Sequence, residues 1–510
     1  MTHPTLEHGG LLFNLIFLTL FFTKIIICIS IINMSAVPQQ INYTSILPLA
    51  VESRSRRRSF LPTNGQLFNS AQNNVIRINV MANAFLDTKE SYVRMRLTNT
   101  GGQTLGFDFG GGSGIVQRLR VLQQGRVLSD VQNYNKLLSA ILLPAQGNET
   151  HVATRSVTEG VKYANSGPGA GGNMGAATQA EVNGATINTP TNANDMVPIA
   201  GEFVFCFPLV NGLLGSTQDK LVPLQLLGSA PLEVEITLAP SLDIGCWGGA
   251  APGGYQIDDI RYMASLVEVG PEVDQHLREV QAASGGRLVL NGTDYTNYTG
   301  NISAGALGQV HLNIPTRRKS LKSVLFVGGS QSFGAPAPNQ NTRYNMSFGG
   351  NFNMVDYQLK VGNTFIPQIP IDCDYQGGGF AFARGEALEE LGKCFGSVGG
   401  THGLGVITRI NYATADCDVV GMSQESNPAN PFNTHVFCPM GIDLEAFQPG
   451  DHGEGSGALE SGIDTASRSL DVALNLTIGA ANGEPIVVNM YAVYDSIYWI
   501  DQEGNLQVSI

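Results

Sequence analysis

The sequence is short of charge, of paired cysteine and of any recognisable catalytic motif. Only 14% of its 510 residues are charged, against roughly 25% in an ordinary domain. Set beside 61 glycines, that scarcity argues for strands, turns and long loops and against helix bundles. The seven cysteines, Cys28, Cys206, Cys246, Cys373, Cys394, Cys417 and Cys438, form no Cys-x-x-Cys pair. This excludes a thioredoxin motif and the usual structural zinc spacing. An odd, scattered set fits reduced, mostly buried thiols and folding in a reducing compartment.

Catalytic vocabulary is equally absent. There is no Gly-x-Ser-x-Gly elbow, P-loop, His-Glu-x-x-His or dinucleotide fingerprint in a strand-turn-helix setting. "GFDFGGGSG" (Gly106 to Gly114) lacks the Lys of a phosphate loop and reads as a flexible turn between strands. The eight histidines are isolated. His402 and His452 lie in Gly-rich loops, the latter beside Asp451 and Glu454. Carboxylates on a loop can gather around a cation, but EF-hand spacing is missing and a solvated loop is the expectation. Tyr491, Tyr494, Tyr498 and Trp499 sit in a terminal apolar strand, so packing is expected of them before a sugar platform. No metal, no cofactor and no enzymatic activity are expected.

Net charge is -13, which argues against a general nucleic-acid binder. The exception is "SRSRRRSF", with Arg54, Arg56, Arg57 and Arg58 close together. Two readings stand side by side: a solvated arm, or a basic arm facing nucleic acid or phospholipid. "LLFNLIFLTLFFTKIIICISII" (Leu11 to Ile32) is long enough to span a bilayer, though Lys24 interrupts it. It reads as an anchor, a signal peptide, or upstream sequence foreign to the native protein. The segment before it has no positive n-region, and initiation at Met34 is the favoured expectation. Sequons at Asn42, Asn148, Asn291, Asn297, Asn301, Asn345 and Asn475 matter only if the chain is secreted.

What the sequence does have is strand after strand. In "FLDTKESYVRMRLTNTGG", Val93, Met95 and Leu97 face one way and Arg94, Arg96 and Thr98 the other, before a turn signal. "IVQRLRVLQQGRVL" contains a hairpin-type turn at Gln123 to Gly125. "SDVQNYNKLLSAILL" is spaced as a helix, with Ser129 or Asp130 available as its cap. A Gly/Asn/Ala-rich stretch from about Asn165 to Asn194 reads as a long exposed loop. "LEVEITLAP" alternates, with Leu232, Val234, Ile236 and Leu238 inward and Glu233 and Glu235 outward. The second half repeats this grammar: "EALEELGKCFG" is its short helix and "SLDVALNLTI" its alternating strand. The expectation is all-β: two tandem sandwiches with a few short helices in loops. The boundaries are a leader at 1–33, an arm with the Arg run at 34–65, a first roll at 66–272, a connector at 273–306 and a second roll at 307–510.

"FLDTKESYVRMRLTN" followed by "IVQRLRVLQQGRVLSDVQNYNKLLSAIL" resembles the first jelly roll of double jelly-roll major capsid proteins of virophages, polinton-like viruses and related double-stranded DNA viruses. A family-like Gly turn and Tyr-x-x-Leu segment correspond to Gly125, Tyr134 and Leu137. "FCFPLVNGLLGSTQDKLVPLQLLGSAPLEVEITLAP" is similar to the family's approach to the late strands of that roll. "IPTRRKSLKSVLFV" and "GIDLEAFQPGDHGEGSGALESGIDTASRSLDVALNLTI" resemble the opening and close of the second. The resemblance runs from about Gln66 to Ile500 and implies a structural subunit that trimerises into pseudo-hexameric capsomers tiling an icosahedral virion shell. It implies neighbouring capsomers and minor capsid or penton proteins as partners. It also implies an inner-face electrostatic contact of Arg54, Arg56, Arg57 and Arg58 with an internal membrane or the genome. The hydrophobic leader departs from the family pattern. Two other readings remain at this stage. One is a secreted or membrane-anchored β-sandwich that binds carbohydrate or a cell surface; the other is a carbohydrate-active enzyme with two carboxylates across a cleft.

Overall fold

Strands that alternate strictly must find an opposing apolar face, and this chain supplies the partners in two matching sets. The computed structural model describes most of residues 53–509. Residues 1–52 and all or most of 147–199, 331–348, 374–383, 396–437 and 446–469 lie outside the described residues, as do a few shorter loop stretches. The hydrophobic leader, the Gly/Asn-rich stretch, His402 and His452 with its acidic neighbours therefore fall outside them.

The first set is β1 (Ser53–Phe60), β2 (Val75–Val80), β3 (Phe85–Asn99), β4 (Val116–Gln123), β5 (Arg126–Gln132), β6 (Glu202–Phe207), β7 (Leu232–Leu238) and β8 (Tyr255–Val269). They pair antiparallel in the orders β1-β8-β3-β6 and β2-β7-β4-β5. The second set is β9 (Leu288–Ile302), β10 (Gly308–Ile314), β11 (Leu321–Ser330), β12 (Met354–Val361), β13 (Thr364–Asp372), β14 (Met440–Asp443), β15 (Val472–Ile478) and β16 (Ile486–Ile500). Their orders are β9-β16-β11-β14 and β10-β15-β12-β13. Adding eight to every strand of the first set gives the second, so the two halves share one topology. Val222–Pro223 adds to β3, and Leu506–Ser509 adds to β16.

The alternation read from sequence sets the cores. Val93, Met95 and Leu97 are fully buried, as are Val234 and Ile236 of β7 and Leu474 of β15. Each such side chain contributes about 1.5–3 kcal/mol of burial free energy. Arg94 and Arg96 face outward and meet acids on the neighbouring strand. Arg96 makes a two-pronged contact with Asp258 at 2.7 and 2.9 Å, and Arg94 pairs with Asp259.

Several expectations need correction. The run "SRSRRRSF" is no loose arm: it is β1, an edge strand paired along its length with β8. A first roll starting at residue 66 would lack one of its eight strands. The stretch read as a connector, 273–306, contains most of a helix, α2 (Pro271–Ala283), and all of β9. Helix α1 starts later than its periodicity suggested, because Ser129 and Asp130 belong to β5. It runs as an α-turn Tyr134–Leu137, a π-turn Leu138–Leu142 and a second α-turn Leu143–Gln146. The short helix of the second half, α3, spans Gly385–Lys393. The Gly-rich run near Gly111 is a buried 3-10 turn. A side chain at Gly112 would come within 2.8 Å of the Phe207 ring, so the glycine is there for close packing. Glu235, expected outside, is 5% exposed and lies between Arg77 at 3.0 Å and Arg120 at 2.8 Å.

The β4–β5 hairpin closes through Gln124 (φ 52) and Gly125 (φ 76). Two consecutive left-handed residues in a two-residue loop match the strand twist of a type I′ turn. Gly125→Val places a β-branched residue in that region and should lower stability by about 1–2 kcal/mol. An unchanged urea midpoint would refute this account of the turn.

Candidate functional site: assembly surfaces

The most extensive buried polar contacts among the described residues lie where one roll meets the other. Among the described residues, no three His, Cys, Asp or Glu side chains gather to hold a metal. No described helix is long and apolar enough to cross a membrane. Cys206, Cys373 and Cys394 are thiols, and burial pushes their pKa values up.

The seam between the rolls is built from the end of β5, the start of α1 and the loop after β6 on one side. On the other are β9, β16 and the C-terminal residues. Asp294 of β9 is its centre. This carboxylate is 1% exposed and accepts from Ser129 Oγ at 2.9 Å, from Gly212 N–H at 3.2 Å and from Tyr295 N–H at 2.9 Å. Gly212 allows the approach: a Cβ there would fall 2.8 Å from that of Asp294. Desolvation raises the Asp294 pKa above its ordinary 3.8, and the three donors and the Arg318 charge pull the other way.

Asn133 makes the second contact. Its left-handed backbone (φ 47) ends β5 and turns the chain into α1. Its side-chain amide donates to Asn297 Oδ1 at 3.0 Å and to Asn489 Oδ1 at 3.2 Å, and its carbonyl accepts from Tyr491 Oη at 2.9 Å. Further along, Gln123 donates to the Gly504 carbonyl at 3.1 Å and accepts from Leu506 N–H at 2.6 Å. Gln281 of α2 donates to the Ile500 carbonyl at 3.0 Å. Behind these polar groups the first roll's core runs on into Leu325, Val327, Tyr491, Val493 and Ile500 of the second.

The residues named from sequence fall into place around this seam. Tyr134 is fully buried and its hydroxyl accepts from Val210 N–H at 2.9 Å, which anchors the loop that carries Gly212. Leu137 is buried beside it in the core. Tyr491, Tyr494 and Tyr498 are buried in β16, and Trp499 carries Arg287 5.4 Å above its ring. They serve packing, as expected. Asn297 has its side-chain nitrogen buried in the seam, so a glycan on this sequon is incompatible with the contact. Asp294 was missed. Its signal is parity: in "LVLNGTDYTN" it shares the alternation of Leu290.

The four arginines are not gathered at one point. Arg54, Arg56 and Arg58 alternate along one face of β1 and Arg57 occupies the other. Arg56 pairs with Glu268 at 3.1 Å, Arg57 lies over the Tyr92 ring at 5.2 Å, and Arg58 lies over Phe60 at 5.0 Å. The strand stays exposed from Ser53 to Ser59.

The pairing of two identical eight-strand topologies is reproduced in solved structures. PBCV-1 VP54, fitted into a cryo-EM reconstruction of the virophage Sputnik, matches with a TM-score of 0.53 at 10% identity, over 92% of this chain and 99% of that one. The fold is a double jelly roll. The Faustovirus major capsid protein matches this double jelly roll with a TM-score of 0.51 at 8% identity, over 91% of this chain and 93% of that one. A quasi-atomic model of the PBCV-1 capsid gives 0.50 at 9% identity, over 92% and 99%. No family model matches the sequence, and no curated protein matches it.

Because the folded double jelly roll holds the Asp294 proton more tightly than the unfolded chain does, its contribution to stability is full below about pH 3.8 and declines as pH rises toward the folded-state value. Asp294→Asn cannot titrate. Its stability relative to the parent should climb as pH rises from about 3.8 through the folded-state value. Parallel stability–pH curves for the two proteins would refute the assignment.

Proposed function

We propose that this chain is the major subunit of a virus shell. It associates in threes into pseudo-hexameric capsomers that tile an icosahedral virion. The observation that carries the reading is the paired topology: two rolls with the same eight-strand order, fixed to each other by a buried seam. The match to capsid proteins over more than nine-tenths of this chain supports it. A tiling subunit needs rigid sandwiches, side faces that bury against neighbours, and loops free to vary. It needs no reaction, and its partners are its own copies, adjoining capsomers and the minor proteins that fill vertices. Location in the virion follows from this role.

The test is the mass and outline of the full chain in solution. Light scattering should give three times the chain mass, and negative-stain images a six-sided outline or closed particles. A stable monomer at tens of micromolar, carrying glycans and binding sugar, would overturn the proposal.

A further inference from the structure

Strand β11, interior to the β9-β16-β11-β14 sheet, has one residue too many for its ladder with β16. Leu321 pairs with Tyr494 and Ser323 with Val493, so Lys322 is a bulge. A bulge re-aims a side chain out of the regular alternation. Here it sets a lysine between two carboxylates from the flanking strands. Lys322 Nζ lies 2.9 Å from Glu445 Oε1, just past the end of β14, and 3.6 Å from Asp495 Oδ1 of β16. Both acid side chains are 10% exposed and that of the lysine 23%. Backbone bonds fix all three: Leu444 N–H donates to the Lys322 carbonyl at 2.8 Å, and Asp495 N–H to the Ser320 carbonyl at 3.1 Å. Ser320 Oγ donates to Asp495 Oδ2 at 2.7 Å and accepts from Gly462 N–H at 3.0 Å. One oxygen of Asp495 is thus held by a hydroxyl while the other faces the amine.

We propose that Lys322 and Asp495 condense to an isopeptide bond that staples β11 to β16, with Glu445 carrying the proton. Glu445 takes a proton from the ammonium, and the freed lone pair of Nζ attacks Asp495 Cγ. Ser320 Oγ steadies the negative charge that gathers on Oδ2. Glu445 hands its proton to Oδ1, which takes a second from Nζ and leaves as water. A C–N bond replaces a C–O bond, nothing is oxidised or reduced, and no further reactant is needed. Three features favour the step. The reacting groups are held side by side by the sheet itself, so little order has to be found during reaction. Burial pushes the Glu445 carboxyl above its ordinary range although Lys322 pulls it down, which suits a group that holds a proton in passing. The product exchanges a desolvated ammonium and carboxylate for a neutral amide, removing the cost of keeping both out of water.

The test is mass spectrometry of the full chain, purified folded and then digested with trypsin. Residues 320–343, uncut at Lys322, should appear joined to residues 469–510 as one branched peptide. Its mass should be the sum of the two less one water, and fragmentation should place the branch at Lys322 and Asp495. Lys322→Arg keeps the charge and Glu445→Gln the shape; both should give the two peptides unjoined. Boiled in SDS, the parent should run ahead of both variants, because its closed loop cannot extend fully. A folded parent that yields only separate peptides would reduce the cluster to an ion pair and overturn the proposal. So would a water lost from the Asp495 peptide alone, the mark of a cyclic imide. A Glu445→Gln variant that still cross-links would overturn the proton route. Should a variant fail to fold, the parent's own peptides decide the matter, whatever the chain's state of assembly.

Discussion

The register of the second roll against the first rests on polar groups shut away from water, the carboxylate of Asp294 with Ser129 and Gly212 around it and, beside it, Asn133 with Asn297. Apolar packing alone would let two sandwiches slide over each other at little cost, because it has no direction. Buried donors and acceptors allow one register only, since a slip strands them without partners at about 1–3 kcal/mol each. The cluster works because Gly212 has no side chain and because Asn133 takes a left-handed backbone that ends β5 at the seam. Specificity here comes from groups that contribute little net stability and would be expensive to leave unmatched.

The surfaces that do not meet the seam follow another rule. On the first roll's β1-β8-β3-β6 sheet, arginines and acids on neighbouring strands cancel: Arg96 with Asp258, Arg94 with Asp259, Arg56 with Glu268. Exposed pairs of this kind contribute little to stability. Their value is that a polar, neutralised face does not aggregate, while the edge of the same sheet keeps a strongly basic strand. The contrast between the buried, hydrogen-bonded contact inside the chain and the exposed basic strand β1 is therefore written in residue choice and not in topology.

Much of this architecture was legible in the order of residues. Alternation in "YVRMRLT", "LEVEITL" and "VALNLTI" gave strands whose inward positions are the buried ones. Gln124 and Gly125 marked a hairpin, and the matching grammar of the two halves indicated tandem sandwiches. What failed did so for long-range reasons. "SRSRRRSF" has no apolar alternation, because an edge strand with one bare side needs none, and its pairing with β8 spans about two hundred residues of sequence. Helix α1 was started too early because Val131 satisfies the strand and the helix period alike, and the sheet took it. Glu235 read as a surface acid until two arginines from other strands closed over it. The importance of Asp294 and Gly212 lies in their meeting, which no local pattern encodes.

The link between the rolls adds a matter of timing. Helix α2 has 13 residues, a spacer of about 20 Å, and Gln281 ties it to the end of β16. Tethered over so short a reach, the two halves of one chain meet at an effective concentration in the millimolar range, far above that of separate chains. A newly made chain therefore closes its own contact long before it encounters another copy. Order of events is thus a product of connectivity: the covalent link makes the first contact unimolecular and leaves every later one dependent on how much protein has accumulated.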